Sequence, residues 1–479
     1  MNQEDISRIV GEVLKKLESN PEFQTAVSAP ASRPSDLPAG VFETVSEAVS
    51  AAKKAQVVFQ NLGLVKRKDI IRAIRKTAVD NAERYAKMAV QETGMGRWQD
   101  KLQKNLICAT KSPGVEDLSA RAYTGDEGLT LVEYAPFGVV AAVTPSTNAV
   151  ATIINNSIII LAGGNSVVFS PHPAAKKSVQ TAVSDFNRAI IAAGGPENLL
   201  TTIAKPTQEA TKELLSHPDT NMTLVTGGPA IVRVALTAGK ICKVIAAGPG
   251  NPPVVVDETA IFPDCAKSII TGCGFDNNVL CIAEKEVFVT RAAKDRFFES
   301  MRQDPRAYEL STAQINELTT KIIESHEKGH EPRINRAFIG KNPSVIAKAI
   351  GLNLSDDIRV LWAEVPNDHP LIFAEQLMPV LPITVAPDVD TAIEMAHRAE
   401  GNNHHSSGMY STNVGNLTKM GRKMACSIYV KNAPTLYGLG MGEGYAGMSI
   451  GTPTGDGITK PTHFVRPLHC ALVGYFRIA

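Results

Sequence analysis

Apolar residues recur every third or fourth position between Glu43 and about Asn105: Val45, Ala48, Val49 and Ala52, then Ile70, Ile71 and Ile74, then Ala86, Met88 and Ala89. That period predicts helices with one buried face. It shortens after Gly128. Leu129-Thr130-Leu131-Val132-Glu133-Tyr134 alternates as an exposed strand does, and Gly138-Val139-Val140-Ala141-Ala142-Val143 is the unbroken apolar run of a buried parallel strand. Further strands are expected at Ser166–Phe169, Leu199–Ile203, Met222–Thr226, Val244–Ala246 and Val254–Asp257, with helices between them such as Ala174–Ala193 and Thr207–Ser216. Strand and helix alternating at this spacing imply an α/β fold with a parallel sheet and ligand sites at the carboxyl ends of its strands. A second α/β region is expected from about Asn251 to Gly438, with strands at Glu286–Thr290, Val380–Val385 and Ile428–Val430. After a Gly-rich stretch, two last strands are expected at Phe464–Arg466 and Cys470–Phe476.

The first residues carry another pattern. Ile6, Ile9, Val10, Val13, Leu14 and Leu17 fall at helical spacing, with Asp5, Arg8, Glu12, Lys15 and Lys16 on the opposite face. A secretory signal needs a continuous apolar centre, which this segment lacks. Residues 19–40 hold Pro21, Pro30, Pro34 and Pro38 among Ser and Ala, the composition of a flexible or extended linker. Residues 1–18 therefore read as an amphipathic docking helix on a tether. The alternative is a helix folded back on the body, and the polar face is not basic enough to favour a membrane surface.

Composition narrows the classes. A chain of 479 residues exceeds what one core supports, so two or three domains are expected. Lys+Arg 49 against Asp+Glu 48 leaves a net charge of +1, with no electrostatic footprint for nucleic acid. Seven cysteines, at 108, 242, 265, 273, 281, 426 and 470, form no CxxC pair, which argues for a reducing compartment. The longest apolar run, Ile153–Leu161, is broken by Asn155, Asn156 and Ser157 and falls short of the ~20 residues a membrane span needs. His326-Glu327-Lys328-Gly329-His330 is formally H-E-x-x-H, but Gly329 and Pro332 argue for a helix end, so no metal is expected.

Seven segments in order then point to a family. They are Gln91-Glu92-Thr93-Gly94-Met95-Gly96, Val143-Thr144-Pro145-Ser146-Thr147-Asn148, Ala162 to Pro173, Val225-Thr226-Gly227-Gly228, Phe275-Asp276-Asn277-Asn278-Val279-Leu280-Cys281, Glu375-Gln376-Leu377-Met378-Pro379-Val380 and Gly451-Thr452-Pro453-Thr454-Gly455. On these the body from about Val41 to Ala479 resembles the aldehyde dehydrogenase superfamily. Within it, the chain is similar to the CoA-acylating acetaldehyde and propionaldehyde dehydrogenases of bacterial microcompartments. The resemblance implies a Rossmann-like NAD/CoA-binding domain from 41–120 and 136–247, an α/β catalytic domain at 248–440, and a small β oligomerisation arm from 121–135 and 455–479. It also implies a homo-oligomer, dimer or tetramer, in the bacterial cytoplasm inside a microcompartment. Residues 1–18 resemble the encapsulation peptides that bind shell proteins.

Roles follow from the same resemblance. Cys281 is the expected nucleophile: its thiolate adds to an aldehyde, and loss of hydride to NAD leaves a thioester. Asn148, with the backbone N–H of Cys281, is the expected oxyanion donor. The Trp that usually neighbours this Asn is absent, implying a differently shaped pocket. No G-x-G-x-x-G occurs. Cofactor contacts are expected instead from Thr144, from Ser170 and His172 beside the strand ending near Phe169, from the Thr226-Gly227-Gly228 loop, and from Glu375 on the nicotinamide ribose. Ser170 replaces the Lys that grips the adenosine ribose in hydrolytic relatives.

One departure selects the acyl acceptor. Lys243 to Asp257 resembles the stretch that carries the water-activating Glu of hydrolytic members, and Ala246 stands where that Glu is expected. Without the base, a thioester on Cys281 passes to a better nucleophile than water. The chain is therefore expected to oxidise acetaldehyde or propionaldehyde and acylate CoA. The alternatives are a hydrolysing dehydrogenase with another base, and a catalytically idle cargo or scaffold protein.

Overall fold

Val139–Thr144 is buried along its whole length, so both of its faces need cover and both of its edges need partners. In the computed structural model, which describes residues 37–238, 240–326 and 332–478, it receives both. It lies inside a six-stranded parallel sheet ordered Val41–Phe42, Leu200–Ile203, Ser166–Pro171, Val139–Thr144, Met222–Thr226, Lys243–Ala247. Strand order runs outward on one side of Val139–Thr144 and then restarts on the other. The carboxyl ends of Val139–Thr144 and Met222–Thr226 therefore flank a switch point, where connecting chains diverge and leave a crevice. The docking helix expected at 1–18 and the tether to residue 36 lie outside the described residues.

Side-chain alternation divides this sheet between two cores. Val139, Ala141, Val143, Val225 and Ala246 pack with Val45, Val49 and Ala52 of the helix Val45–Gln60, whose start is fixed by a capping box between Thr44 and Glu47. Val140, Ala142, Leu224 and Ile245 face the opposite core, with Ile153, Ile154 and Ile158–Leu161 of the helix Ala149–Ala162. That helix is buried at all 14 positions. Of its three polar residues Asn155 is bonded on both sides: Nδ2 donates to Ser112 Oγ at 2.8 Å, and Oδ1 accepts from Met448 N at 3.1 Å, whereas Asn156 Nδ2 and Ser157 Oγ are buried without a hydrogen-bond partner. Among the described residues no helix is long and apolar enough to cross a membrane.

A second parallel sheet has seven strands ordered Ala307–Glu309, Val360–Glu364, Val380–Ala386, Glu286–Thr290, Pro253–Val256, Ser406–Tyr410, Ile428–Lys431. The pattern had not marked Ser406–Tyr410, which has the sequence Ser-Ser-Gly-Met-Tyr. It is a fully buried strand because Pro253–Val256 and Ile428–Lys431 pair with it on both edges.

A third, antiparallel sheet joins Arg121–Gly125, Gly128–Pro136 and Val465–Val473. Here the two strands expected at Phe464–Arg466 and Cys470–Phe476 prove to be one. Val465–Val473 is continuous through Pro467, which an edge strand tolerates because the missing N–H falls on the unpaired side. Tyr475 and Phe476 lie beyond it.

Candidate active site

Asp276, Asn277 and Asn278 are three consecutive left-handed residues, with φ of 48°, 52° and 62°. Asp and Asn reach this region at lower cost than other side-chain-bearing residues, because their short polar groups bond locally. Each is anchored. Asp276 N donates to Asp100 Oδ2 at 2.9 Å. Asn277 Nδ2 donates to Gly340 O and Asn342 Oδ1 at 2.9 and 2.8 Å, and Asn278 Nδ2 donates to Cys273 O and Glu284 O, both at 3.0 Å. The tight turn that follows leaves Cys281 half-buried, just ahead of the strand Glu286–Thr290.

Lys285 braces that turn from below. Its side chain is fully buried, and Nζ donates to Asn278 O and Leu280 O at 3.0 Å each and to Asn278 Oδ1. Burial lowers its proton affinity, opposed first by Glu375 and then by Cys281. The thiol of Cys281 is pushed up to about 12, mainly by burial and next by Glu375, while Lys285 and Lys104 pull it back. Gly250 must be glycine: a Cβ there would come within 2.7 Å of both Cys281 O and the Cγ of His405. The same residue's N–H donates to Glu375 Oε1 at 3.3 Å, so Gly250 brings Glu375 and the cysteine turn together. Burial lowers the His405 imidazole to about 4, which keeps it neutral near pH 7.

Asn148 stands at the N-cap of Ala149–Ala162 but makes no side-chain cap bond. Its Oδ1 accepts instead from Lys104 Nζ at 2.6 Å. Lys104 also bonds Asp276, as does Lys101, whose Nζ lies 2.9 Å from Asp276 Oδ2 and 3.0 Å from Thr147 O. Two lysines on successive turns of the helix Trp98–Lys111 thus tie the Asn148 loop to the Cys281 loop. Sequence reasoning missed Lys101, Lys104, Lys285 and Gly250. A signal existed for the first two: Lys101, Lys104, Asn105 and Cys108 share one helix face at spacings of three and four, and a charge on a buried face needs a buried partner.

The expected cofactor residues other than Glu375 lie at the carboxyl edge of the six-stranded sheet. Thr144 ends Val139–Thr144, and its buried hydroxyl has no hydrogen-bond partner within the protein, which fits a polar ligand. Ser170 is buried with Oγ 2.8 Å from Thr211 Oγ1, whereas His172 is exposed and its Nδ1 accepts from Ala174 N at 3.1 Å. Across the switch point, Thr226 Oγ1 lies 2.7 Å from Ser449 Oγ and Gly227 N donates to Ala247 O at 3.1 Å. Gly228 is exposed, with open space where a Cβ would be, and it begins the helix Pro229–Leu236 without a side-chain cap. That helix end leaves backbone N–H groups free for an anion.

Ala246, read as standing where the base is absent, lies on the other face of its strand from Ile245. Ala246 packs in the core formed with Val45–Gln60, whereas Cys281 packs against the opposite core with Ile245. By strand alternation Ala247, not Ala246, is directed to the cysteine's side. Since Lys243-Val244-Ile245-Ala246-Ala247-Gly248 holds no carboxylate, the absence itself stands. At the H-E-x-x-H segment the helix Thr312–Ile322 ends before His326, and residues 327–331 lie outside the described residues.

Comparison with known proteins gives concordant matches. A family model described as "Aldehyde dehydrogenase family" matches residues 19–449. The chain is 45% identical to an acetaldehyde dehydrogenase (acetylating), EutE, of Salmonella typhimurium, over 100% of both chains. Among solved structures it is similar to a propionaldehyde dehydrogenase from the Clostridium phytofermentans fucose utilisation bacterial microcompartment, at 41% identity and TM-score 0.88, covering 92% of this chain and 100% of that one. It is also similar to a Rhodopseudomonas palustris propionaldehyde dehydrogenase with bound CoA and an acylated cysteine, at 42% identity and TM-score 0.87, covering 91% and 98%.

Proposed function

Since this chain belongs to the aldehyde dehydrogenase family, we infer from its site that it oxidises a short-chain aldehyde, acetaldehyde or propionaldehyde, and transfers the acyl group to CoA. The observation that carries the reading is a half-buried cysteine beside Gly250, the end of a segment, Lys243 to Gly250, that holds no carboxylate. The Cys281 sulfur bonds to the aldehyde carbon, its proton passing to solvent, and negative charge develops on the former carbonyl oxygen. Asn148 Nδ2–H and the Cys281 backbone N–H receive that charge. NAD, when bound, supplies the hydride acceptor, and a thioester remains on Cys281. The CoA thiolate then adds to the acyl carbon, and the Cys281 thiolate leaves as the thioester to CoA forms. A thiolate needs no base to compete with water, which suits the lost carboxylate. The unpartnered hydroxyl of Thr144, the open N-terminus at Gly227–Gly228 and Glu375 beside Gly250 support NAD binding across the switch point. Ser170 and His172 take the adenosine side.

The same reading assigns 41–120 and 136–247 to cofactor binding, 248–440 to catalysis, and 121–135 with 455–479 to a homo-oligomer arm. Exposure of Leu468, Leu472 and Val473 on the arm strand supports that last assignment. Residues 1–18 would dock the enzyme to a microcompartment shell protein.

The test is the acyl acceptor. Enzyme mixed with aldehyde and NAD should release about one equivalent of NADH and then stall until CoA is added. Steady formation of free carboxylic acid without CoA would establish the hydrolytic alternative, and no NADH under either condition would establish the idle one.

A further inference from the structure

We propose that Lys104 is a positioning residue of the acylation step: it decides which end of the Asn148 side chain faces the reacting oxygen. The proposal rests on the functional reading above, and it follows from donor chemistry. An ammonium carries three N–H donors and no acceptor, so only the carbonyl end of an amide can face it. Lys104 Nζ is 2.6 Å from Asn148 Oδ1, and Lys104 is only 3% exposed. A flipped Asn148 would set N–H against N–H between two buried side chains. The amide is thereby held with Nδ2–H directed away from Lys104; Nδ2 makes one long contact, 3.4 Å to Thr147 Oγ1, whose hydroxyl can donate or accept and so does not fix the orientation by itself.

The charges around Lys104 favour this role. Asp276 has a fully buried side chain, and its Oδ2 serves both Lys101 and Lys104 while its Oδ1 accepts from Arg97 N at 2.7 Å. One carboxylate oxygen shared by two ammonium groups cannot satisfy all of their N–H donors, and the carbonyl of Asn148 is a further acceptor that Lys104 finds. Asp276 lies five residues before Cys281 in the same anchored turn, so its hold on Lys104 keeps the amide in register with the nucleophile. Lys101 donates to the Thr147 backbone and to Asp276, which fixes the loop but not the amide's orientation.

A double-mutant cycle tests this on the full chain. Removing an oxyanion donor typically costs about 100–1,000-fold in rate, and loss of its orientation costs part of that, so Lys104→Met should lower the rate of NADH formation in the first turnover by about 10–100-fold. The KM for NAD should stay within about threefold, since the bond lost is not to cofactor. In the Asn148→Ala background, adding Lys104→Met should cost less than about threefold more, because no amide remains to orient. Lys104→Arg, which keeps a donor-only group, should retain more activity than Lys104→Gln, whose amide can meet Asn148 either way round. Melting temperatures of all variants separate lost fold from lost orientation, and the Arg–Gln comparison decides the matter if Lys104→Met does not fold. Full multiplication of the two losses, equal activity of the Arg and Gln variants, or a Lys104→Met enzyme with wild-type rate overturns the role of Lys104. A wild type that forms no acyl-CoA overturns the functional reading and this proposal with it.

Discussion

A single thiol held at the end of three left-handed residues makes Cys281 accessible but not pre-ionised. Burial is the main reason its thiol is pushed up to about 12. The sign is therefore plain: below that value the resting thiol is protonated, and the thiolate fraction grows as pH rises. Alkylation of Cys281 by iodoacetamide in the cofactor-free enzyme should climb by up to tenfold per unit between about pH 7 and 10. A plateau already reached near pH 8 would show that Lys285 and Lys104 outweigh burial. Cys281→Ala should lose dehydrogenase activity entirely while melting like the wild type, because Cys281 is the half-buried thiol on the turn beside Gly250, whereas Cys108, Cys265 and Cys273 are buried inside the hydrophobic cores. Turnover by that variant at a normal rate would remove Cys281 from the mechanism.

At the scale of an element, one strand carries the argument about water. Lys243–Ala247 places alternate side chains in different cores, so adjacent alanines are not equivalent. Ala246→Glu would bury an unpaired carboxylate against Val45, Val49 and Val225, costing roughly 3–5 kcal/mol with no new activity. Ala247→Glu would turn its carboxylate toward the cysteine's side of the sheet and should raise CoA-independent acid release. Comparing melting temperature and acid formation for the two variants checks the alternation directly. If Ala246→Glu gained hydrolysis and Ala247→Glu did not, the facing assigned to this strand would be wrong. The helix Trp98–Lys111 makes a parallel point: its inward lysines are tolerable only because Asp276 and Asn148 wait on the loops it faces.

Across the whole molecule, the two parallel sheets divide the work. The carboxyl edge of the first presents Thr144, Thr226 and Gly228, and the loop entering Glu286–Thr290 of the second presents Cys281. Pro38–Ala479 forms one compact unit, and every residue assigned to chemistry lies within it. Deleting residues 1–18 should therefore leave kcat and KM unchanged while releasing the enzyme from microcompartment shells. Exchanging Ile9 and Leu14 for Glu should do the same by breaking the apolar stripe. Co-purification of the truncated enzyme with intact shells, or loss of activity on truncation, would assign that segment to the fold instead.

What the sequence determined on its own were the features written in short-range pattern. The unbroken apolar run Val139–Val143 specifies a buried parallel strand, and Asp276-Asn277-Asn278 uses the residue types that accept left-handed backbone. Cys281 and Asn148 were singled out as candidates because each stands in a segment that resembles the family's. Tertiary structure alone decided the rest. Ser406–Tyr410 has no apolar pattern and is a strand only because its neighbours pair with it. Val465–Val473 is one strand because Gly128–Pro136, more than 300 residues earlier, runs beside it throughout. Lys104 shows in the sequence only through its spacing on one helix face, and Lys285 reads as an ordinary surface lysine; the fold buries both. The partners that make their burial tolerable, Asp276 and Asn148 for one and the carbonyls of Asn278 and Leu280 for the other, meet them through packing and backbone geometry that residue type does not encode.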